Sequence, residues 1–139
     1  MISVLSEVRL LIRGIGIENV HAMHDVTEGG LIGGVYEMAV ASNVGFEVFE
    51  DRIPILHETA IICNVLGVDP LRLIGSGALI ASLNPEYAEQ AIKILNKNGI
   101  NAAIIGEFKR NKDKILVSKN GKKERIDDAP IDELWRFLD

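Results

Sequence analysis

The sequence predicts an α+β fold, a layered α/β sandwich with a mixed sheet. An apolar, β-branched segment at residues 20–26 runs directly into a helix-periodic segment at 31–42. Further on, an amphipathic helix separates two strand-like segments at 79–83 and 100–108, which predicts a β-α-β unit of the ferredoxin-like kind. Alternating elements with short connections are typical of sheets covered by helices.

Apolar periodicity predicts the elements in the first half of the chain. An apolar helix covers residues 4–12, and residues 44–49 alternate as a strand. A further helix over residues 58–66 ends at Gly67. The helix at 31–42 has one face with helical spacing, formed by Leu31, Val35, Met38, Ala39 and Ser42.

Capping and turn residues predict the second half. Asn84 is a suitable N-cap, and Pro85 suits the first helical position. The apolar stripe of this helix consists of Ala88, Ala91, Ile92 and Leu95. Asn120-Gly121 joins two short strands, and because both residues tolerate positive φ, we expect a type I′ hairpin. Pro130 is expected to open a short C-terminal helix whose apolar face packs on the domain through Leu134, Trp135 and Leu138.

Length and composition fit one globular domain. The chain has 139 residues, of which 47% are hydrophobic, so it can bury a full core. Its net charge of -5 argues against binding nucleic acid over the whole surface. No apolar run approaches a membrane span and no signal-peptide pattern is present, so we expect a cytoplasmic protein with no membrane partner. Cys63 is the single cysteine and is expected to be a buried thiol.

Eight of the fifteen basic residues fall within one short stretch. They are Lys109, Arg110, Lys112, Lys114, Lys119, Lys122, Lys123 and Arg125. A patch of this kind can bind nucleic acid, but no aromatic side chains are interleaved with it. Lysines on an exposed edge hairpin also keep that edge from pairing with another chain. We therefore expect a solvated hairpin and no nucleic-acid partner.

The most informative segment stands where the first strand gives way to a helix. Its seven residues are His24-Asp25-Val26-Thr27-Glu28-Gly29-Gly30. Thr27 is expected to be the N-cap, with Glu28 in the first turn, where a carboxylate favours the positive helix end. Gly29 and Gly30 leave backbone N–H groups unshielded, and such a turn can accept a phosphate or another oxyanion. The alternative is an ordinary tight turn whose two ionisable side chains make structural hydrogen bonds.

A second glycine turn, Gly75-Ser76-Gly77, precedes the strand at 79–83. It either presents Ser76 and backbone amides to a ligand or eases a bend at the start of the strand. Because ligands of α/β folds collect at strand ends, we expect the two glycine turns to lie together on one edge. No metal site is expected, since His21 and His24 point to opposite faces of a strand.

Five stretches of the sequence resemble a known family. They are residues 21–31, Glu37-Met38-Ala39, residues 41–45, residues 69–81 and residues 103–108. In order and spacing they resemble the C-terminal domain of the aminoimidazole ribonucleotide (AIR) synthase superfamily. Within it, they are most similar to the hydrogenase-maturation protein HypE and its AIR synthase-related relatives. The resemblance covers roughly residues 3–126.

The resemblance implies part of an ATP-dependent enzyme. Family members pair an N-terminal ATP-binding domain with a C-terminal domain of this kind. ATP and Mg²⁺ are then bound mainly by the N-terminal domain, and no cofactor is expected for this chain alone. We expect this chain to be an excised or stand-alone C-terminal domain. Its sequence starts on an apolar helix, which is where we expect the N-terminal domain to have been removed. Its expected partners are its own N-terminal domain, a second copy when full length, and a maturation protein.

The resemblance also implies roles for the two turns. His24 and Asp25 are candidates for proton transfer, and with Thr27 and Glu28 they face the substrate. The substrate- or phosphate-binding set continues through the two glycine turns as Gly29, Gly30, Gly75, Ser76 and Gly77.

Two departures from HypE bear on the chemistry. HypE proteins end in a cysteine whose carbamoyl group is dehydrated to a thiocyanate, whereas this sequence ends Trp135-Arg136-Phe137-Leu138-Asp139. Ser76-Gly77-Ala78 stands where HypE tends to carry Glu-Gly-Lys, which removes a candidate general acid and base. These departures argue against cyanide-precursor chemistry. Two functions stay open: a domain of an ATP-dependent enzyme, or a non-catalytic binding or assembly module that retains the fold.

Overall fold

The described part of the chain, residues 3–137 of a computed structural model, contains four α-helices and six strands. In chain order they are α1 (Leu5–Ile15), β1 (Val20–Asp25), α2 (Gly30–Ala41), β2 (Gly45–Phe49), α3 (His57–Leu66), β3 (Leu79–Leu83), α4 (Pro85–Lys97), β4 (Gly106–Lys109), β5 (Lys114–Val117) and β6 (Lys123–Arg125). Short 3-10 helices occur at Ile17–Asn19, Glu50–Arg52 and Glu133–Phe137.

The described strands form two sheets. In the first, β1 and β3 pair antiparallel, with His24 opposite Ile80 and Asp25 opposite Leu79. The second has the order β4-β2-β5-β6, in which β2 is antiparallel to β4 and parallel to β5. This second sheet is therefore mixed, and the predicted α+β sandwich is confirmed.

One connection differs from the expected β-α-β unit. Strand β3 pairs with β1, whereas β4 pairs with β2, so the chain through α4 passes from one sheet to the other. The strand expected at 100–108 is confined to Gly106–Lys109. The preceding residues make the crossing: Ile100 and Ala102 pack beside α1 and α4, while the Ile105 carbonyl accepts a hydrogen bond from Phe49 N–H in the second sheet.

The two cores lie on opposite faces of the β1–β3 sheet. Helix α2 is apolar nearly all round because it lies between the two sheets, and its Ile32 and Ala39 are fully buried. Phe46 and Val48 of β2 complete this core. Helices α1 and α4 cover the other face with Leu11, Ile15, Ala91 and Leu95. No helix among the described residues has the length and apolar character that crossing a membrane requires.

Several local predictions are confirmed at helix ends. The Asn84 side chain accepts a hydrogen bond from Glu86 N–H at 3.2 Å, and Pro85 begins α4. Gly67 ends α3 in the left-handed conformation. Cys63 is 2% exposed, and this burial raises the pKa of its thiol. The cysteine is therefore a core residue and a poor nucleophile.

The hairpin between β5 and β6 forms, but the predicted type I′ turn is wrong. Gly121 has a φ of +80°, whereas Asn120 does not adopt positive φ. Gly121 N–H donates to the Ser118 carbonyl at 2.8 Å, and Ser118 N–H donates to the Lys122 carbonyl at 2.9 Å. This pattern is a three-residue loop, a type I turn followed by a glycine bulge. Ser118 and Lys122 are therefore the last paired residues, and the loop between them holds three residues instead of two.

Acidic side chains neutralise much of the basic stretch around this edge hairpin. Lys109 and Lys123 contact the Glu47 carboxylate at 2.5 and 2.9 Å, and their hydrogen bonds lower the pKa of Glu47 to about 2. Arg125 forms an ion pair with Asp113 at 3.0 Å. The pairing favours the solvated hairpin that the sequence predicted.

Candidate functional site

The two glycine turns meet at one end of the β1–β3 sheet, as the sequence predicted. Antiparallel pairing continues one residue beyond β1, since Val26 N–H donates to the Ala78 carbonyl at 3.0 Å. The turn after β1 and the Gly75–Gly77 turn before β3 are therefore neighbours. Ser76 in the second turn is exposed.

His24 is held against helix α2 by a residue that the sequence analysis did not assign to the site. Its Nε2 lies 2.9 Å from Glu37 Oε2, and its Nδ1 contacts the Asp25 carbonyl. Gly34 lets α2 pack closely on β3, because a Cβ there would lie 2.8 Å from Ile80 Cδ1. Glu37 belongs to a stretch that carries the family resemblance, but nothing in the sequence pairs it with His24.

This geometry limits the chemistry of His24. Both ring nitrogens lie against acceptor oxygens of the chain itself, Glu37 Oε2 and the Asp25 carbonyl. In this conformation both nitrogens are engaged within the chain and neither is left for a substrate. His24 therefore fits an orienting role better than that of a general base.

Asp25 lies on the opposite face of the sheet from His24, because adjacent strand residues alternate. Its side chain is exposed, and within residues 3–137 its carboxylate has no hydrogen bond or ion pair. Thr27 and Glu28 are exposed in the turn that follows. Of the two ionisable residues predicted for the site, His24 is therefore hydrogen-bonded within the chain, whereas the Asp25 carboxylate is accessible.

The helix start differs from the prediction at two residues. Helix α2 begins at Gly30, its N-cap is Gly29 in the left-handed conformation, and no side chain caps it. The prediction of Thr27 as N-cap and of Glu28 in the first turn is therefore wrong. Gly30 has a φ of +65°, and a Cβ there would lie 2.5 Å from the Leu71 carbonyl oxygen. A side chain at Gly30 would therefore collide with the backbone at Leu71.

The amides expected to hold an anion already have partners. Gly29 N–H donates to Asp132 Oδ2 at 2.8 Å, and Gly30 N–H donates to the Thr27 carbonyl at 3.1 Å. Asp132 is 4% exposed, and its second oxygen accepts from Leu134 N–H at 2.8 Å. The Asp132 carboxylate thus occupies the position at the helix start where a bound anion would be stabilised. No sequence signal links residues this far apart.

Asp132 fixes the C-terminal segment, residues 130–137, beside the first turn. Glu133 N–H donates to the Arg72 carbonyl at 3.1 Å. The short helix predicted there is a 3-10 helix, Glu133–Phe137, but the prediction that Trp135 packs on the domain is wrong, since its side chain is 48% exposed. Leu138, the other residue of the predicted face, lies outside the described residues.

A cavity of about 200 Å³ lies away from these turns. It opens beside the beginning of β1, between the sheets, and is lined by His21, Ala22, Met38, Ser42, Val44, Ser82 and Phe108. None of the residues that line this cavity belongs to the two glycine turns. This cavity is therefore separate from the candidate site.

The fold and the edge formed by the two turns define the class of protein. Residues 3–119 match the family model described as AIR synthase related protein, C-terminal domain, and the chain belongs to that family. Within it the chain is HypE-like. It is 42% identical over 126 residues to a putative hydrogenase expression/formation protein of Methanocaldococcus jannaschii, a match that covers 88% of this chain and 36% of the relative. It is 33% identical to the carbamoyl dehydratase HypE of Escherichia coli, over 80% of this chain and 34% of that protein.

Solved HypE structures share the fold. The chain superposes on HypE in a HypE–HypF complex with a TM-score of 0.81 at 27% identity, over 91% of this chain and 41% of that one. The TM-score is 0.77 at 29% identity against HypE in complex with ATP, over 90% of this chain and 41% of that chain. The chain therefore spans about a third of the length of the curated relatives it matches.

Proposed function

We propose that this chain is the C-terminal domain of an ATP-dependent HypE-like protein and lines one wall of a substrate cleft. An N-terminal ATP-binding domain forms the other wall. The observation that carries this proposal is the junction of the two glycine turns at one open edge, where Asp25, Thr27, Glu28 and Ser76 are exposed. A HypE relative has been solved with ATP, which supports nucleotide use by the assembled protein.

The residues of this chain do not by themselves fit ATP. The side chains exposed at the first turn include the carboxylates of Asp25 and Glu28, and Gly29 N–H is engaged by Asp132. Arg72, which lies near this turn, is paired with Asp69 and Glu124. A polyphosphate needs cations and free amides, so we assign ATP and Mg²⁺ mainly to the N-terminal domain.

Within the cleft, Asp25 is the residue that we assign to proton transfer. Its carboxylate is accessible, whereas both nitrogens of His24 are engaged. His24 and Glu37 act as a positioning pair that fixes the end of β1 against α2. Thr27, Ser76 and the glycines of the second turn contact the substrate. We also propose a cytoplasmic role in hydrogenase maturation with a maturation-protein partner. The hydrogenase expression/formation relative and the HypE–HypF complex support the role and the partner.

The occupied amide of Gly29 favours a second candidate, a non-catalytic assembly module. If Asp132 stays on this amide in the assembled protein, one of the two amides expected to bind an anion is never available. Such a domain would keep the fold and act through its partner.

A chimeric protein tests the proposal. The matched segment of the Methanocaldococcus jannaschii relative is replaced by this chain, and ATP hydrolysis is compared with that of the same relative lacking the segment. We expect the chimera to restore turnover at least tenfold above the truncated protein. Equal turnover in a folded chimera would favour the assembly module.

A further inference from the structure

The cavity beside the beginning of β1 has an apolar interior and a polar mouth. It measures about 200 Å³ and lies at the other end of β1 from the two glycine turns; we call it the β1 cavity. Its most deeply buried lining residue is Met38 of α2, which is 6% exposed. Val44 and Phe108 are half-buried, whereas His21 and Ser42 are exposed. Apolar surface therefore lies inside the cavity, with polar side chains where it opens to solvent.

A β-bulge brings two adjacent residues of β1 to this cavity. Val20 pairs with Leu83, and Ala22 pairs with Ser82. His21 is therefore an extra residue with no partner on β3. Adjacent residues of a regular strand point to opposite faces, yet His21 and Ala22 both line the β1 cavity. Bulges redirect side chains and are frequent beside functional sites, so the bulge accounts for the presence of His21 here.

Three polar side chains at the cavity are available to a ligand. In the part of the chain that the structure describes, no hydrogen bond engages the ring of His21 or the hydroxyls of Ser42 and Ser82. The ring of His24, by contrast, has both nitrogens engaged. A neutral imidazole and a hydroxyl can each donate and accept a hydrogen bond. A ligand with a donor and an acceptor along one edge would therefore find partners for both.

The lining selects the charge and the shape of that ligand. None of the described residues that line the cavity is Lys, Arg, Asp or Glu, so an ionic group would lose hydration without gaining an ion pair. The Phe108 ring and the Met38 thioether favour contact with an aromatic ring. An engineered apolar cavity of about 150 Å³ in another protein binds benzene. The β1 cavity, at about 200 Å³, has room for a second ring.

We propose that the β1 cavity binds an uncharged bicyclic heteroaromatic compound. The ring system lies against Met38 and Phe108, and its nitrogen atoms exchange hydrogen bonds with His21, Ser42 and Ser82. An acyl chain would leave these three polar groups without partners, and a phosphate would find no Lys or Arg among the described lining residues. The site is distinct from the edge formed by the two glycine turns and does not depend on the proposed function.

Methionine methyl signals give a direct test in the full 139-residue chain. Indazole is the probe, since it is an uncharged bicycle with one N–H donor and one ring-nitrogen acceptor. It is titrated into methyl-labelled protein, and the NMR signal of Met38 reports the cavity. Met23 is the matched internal control, because it packs with α1 and α4 on the other face of the sheet. Indene, a hydrocarbon of nearly the same shape, measures what the polar contacts contribute.

Two variants and a control locate the contacts. His21→Ala removes the imidazole from an exposed position, and Ser82→Leu places a larger apolar side chain at a half-buried one. His57→Ala is the control for His21→Ala, because His57 is exposed on α3 and lies outside the cavity lining. Circular dichroism checks that each variant is folded. If Ser82→Leu does not fold, His21→Ala still decides the outcome.

We expect indazole to shift the Met38 signal with a dissociation constant of about 1 mM or tighter and to leave the Met23 signal in place. Binding should weaken about fivefold or more in His21→Ala and in Ser82→Leu, and should stay unchanged in His57→Ala. The proposal would be overturned by equal shifts of the two methionine signals, by no shift of Met38, or by full binding in either folded cavity variant. Equal affinity for indene would also overturn it, because the polar groups would then contribute nothing.

Discussion

Asp132 Oδ2 accepts a hydrogen bond from Gly29 N–H at 2.8 Å across 103 residues of sequence, which ties the C-terminal segment to the start of α2. It fills a helix-start amide of the candidate site, and together with the hydrogen bond from Glu133 N–H to the Arg72 carbonyl it anchors the C-terminal segment beside the first glycine turn.

Replacing Asp132 should destabilise the fold. Asp132→Ala removes two hydrogen bonds to a buried charged group and leaves Gly29 N–H without a partner, so we expect a loss of about 2 kcal/mol or more in the free energy of unfolding. Asp132→Asn keeps one carbonyl acceptor and should lose about half as much. Urea denaturation measures both, with exposed Asp128→Ala as the control. Equal stability of Asp132→Ala and Asp128→Ala would show that this contact contributes nothing.

Gly30 and Gly67 form a matched pair that separates strain from steric overlap. Both have a φ near +65°, but a Cβ at Gly30 would lie 2.5 Å from the Leu71 carbonyl oxygen, whereas one at Gly67 would meet nothing within 4 Å. Gly67→Ala should therefore cost about 1–2 kcal/mol, the conformational penalty alone. Gly30→Ala should cost clearly more, and Gly30→Val should also impair activity of the chimera. Thermal unfolding of both alanine variants measures their losses of stability. Equal losses would show that the close approach at Gly30 adds no cost.

Asp25→Asn tests a role in the reaction. The variant preserves shape and removes a charge from an exposed position, so stability should change little while turnover of the chimera falls about tenfold or more. Asp51→Asn, also exposed, is the control. Full activity together with lowered stability would mean that Asp25 is structural.

Acid should weaken the second sheet through Glu47. Lys109 and Lys123 lower the pKa of Glu47 from 4.5 to about 2 in the folded chain, so the unfolded state binds the proton more readily. The contribution of Glu47 is therefore fully present above pH 4.5 and is lost as the pH falls toward 2. Urea midpoints measured across this range should fall less steeply for Glu47→Gln than for the wild type. Parallel curves would show that the ion pairs do not persist in solution.

Predictions that rest on neighbouring residues agree with the structure. The cap of α4 depends on Asn84 and Pro85, and the end of α3 depends on Gly67, so short-range chemistry suffices for both. The meeting of the two glycine turns was also predictable, because each adjoins a strand of one antiparallel pair.

Predictions failed where distant parts of the chain decide the geometry. Thr27 looks like an N-cap, but Leu71 and the C-terminal segment crowd the turn, and Asp132 satisfies the Gly29 amide. Asn120-Gly121 looks like a two-residue turn, but the pairing of β5 with β6 closes the loop at Ser118 and Lys122. The hydrogen bond between His24 and Glu37 could not be predicted, because it depends on how α2 lies on β1.

The most direct test of the central claim is calorimetric titration of Mg-ATP into the isolated chain and into the chimera. If this chain supplies one wall of a cleft whose nucleotide site belongs mainly to another domain, the isolated chain should show no tight binding and the chimera should bind with a micromolar dissociation constant, about -8 kcal/mol. Micromolar binding by the isolated chain would contradict the account.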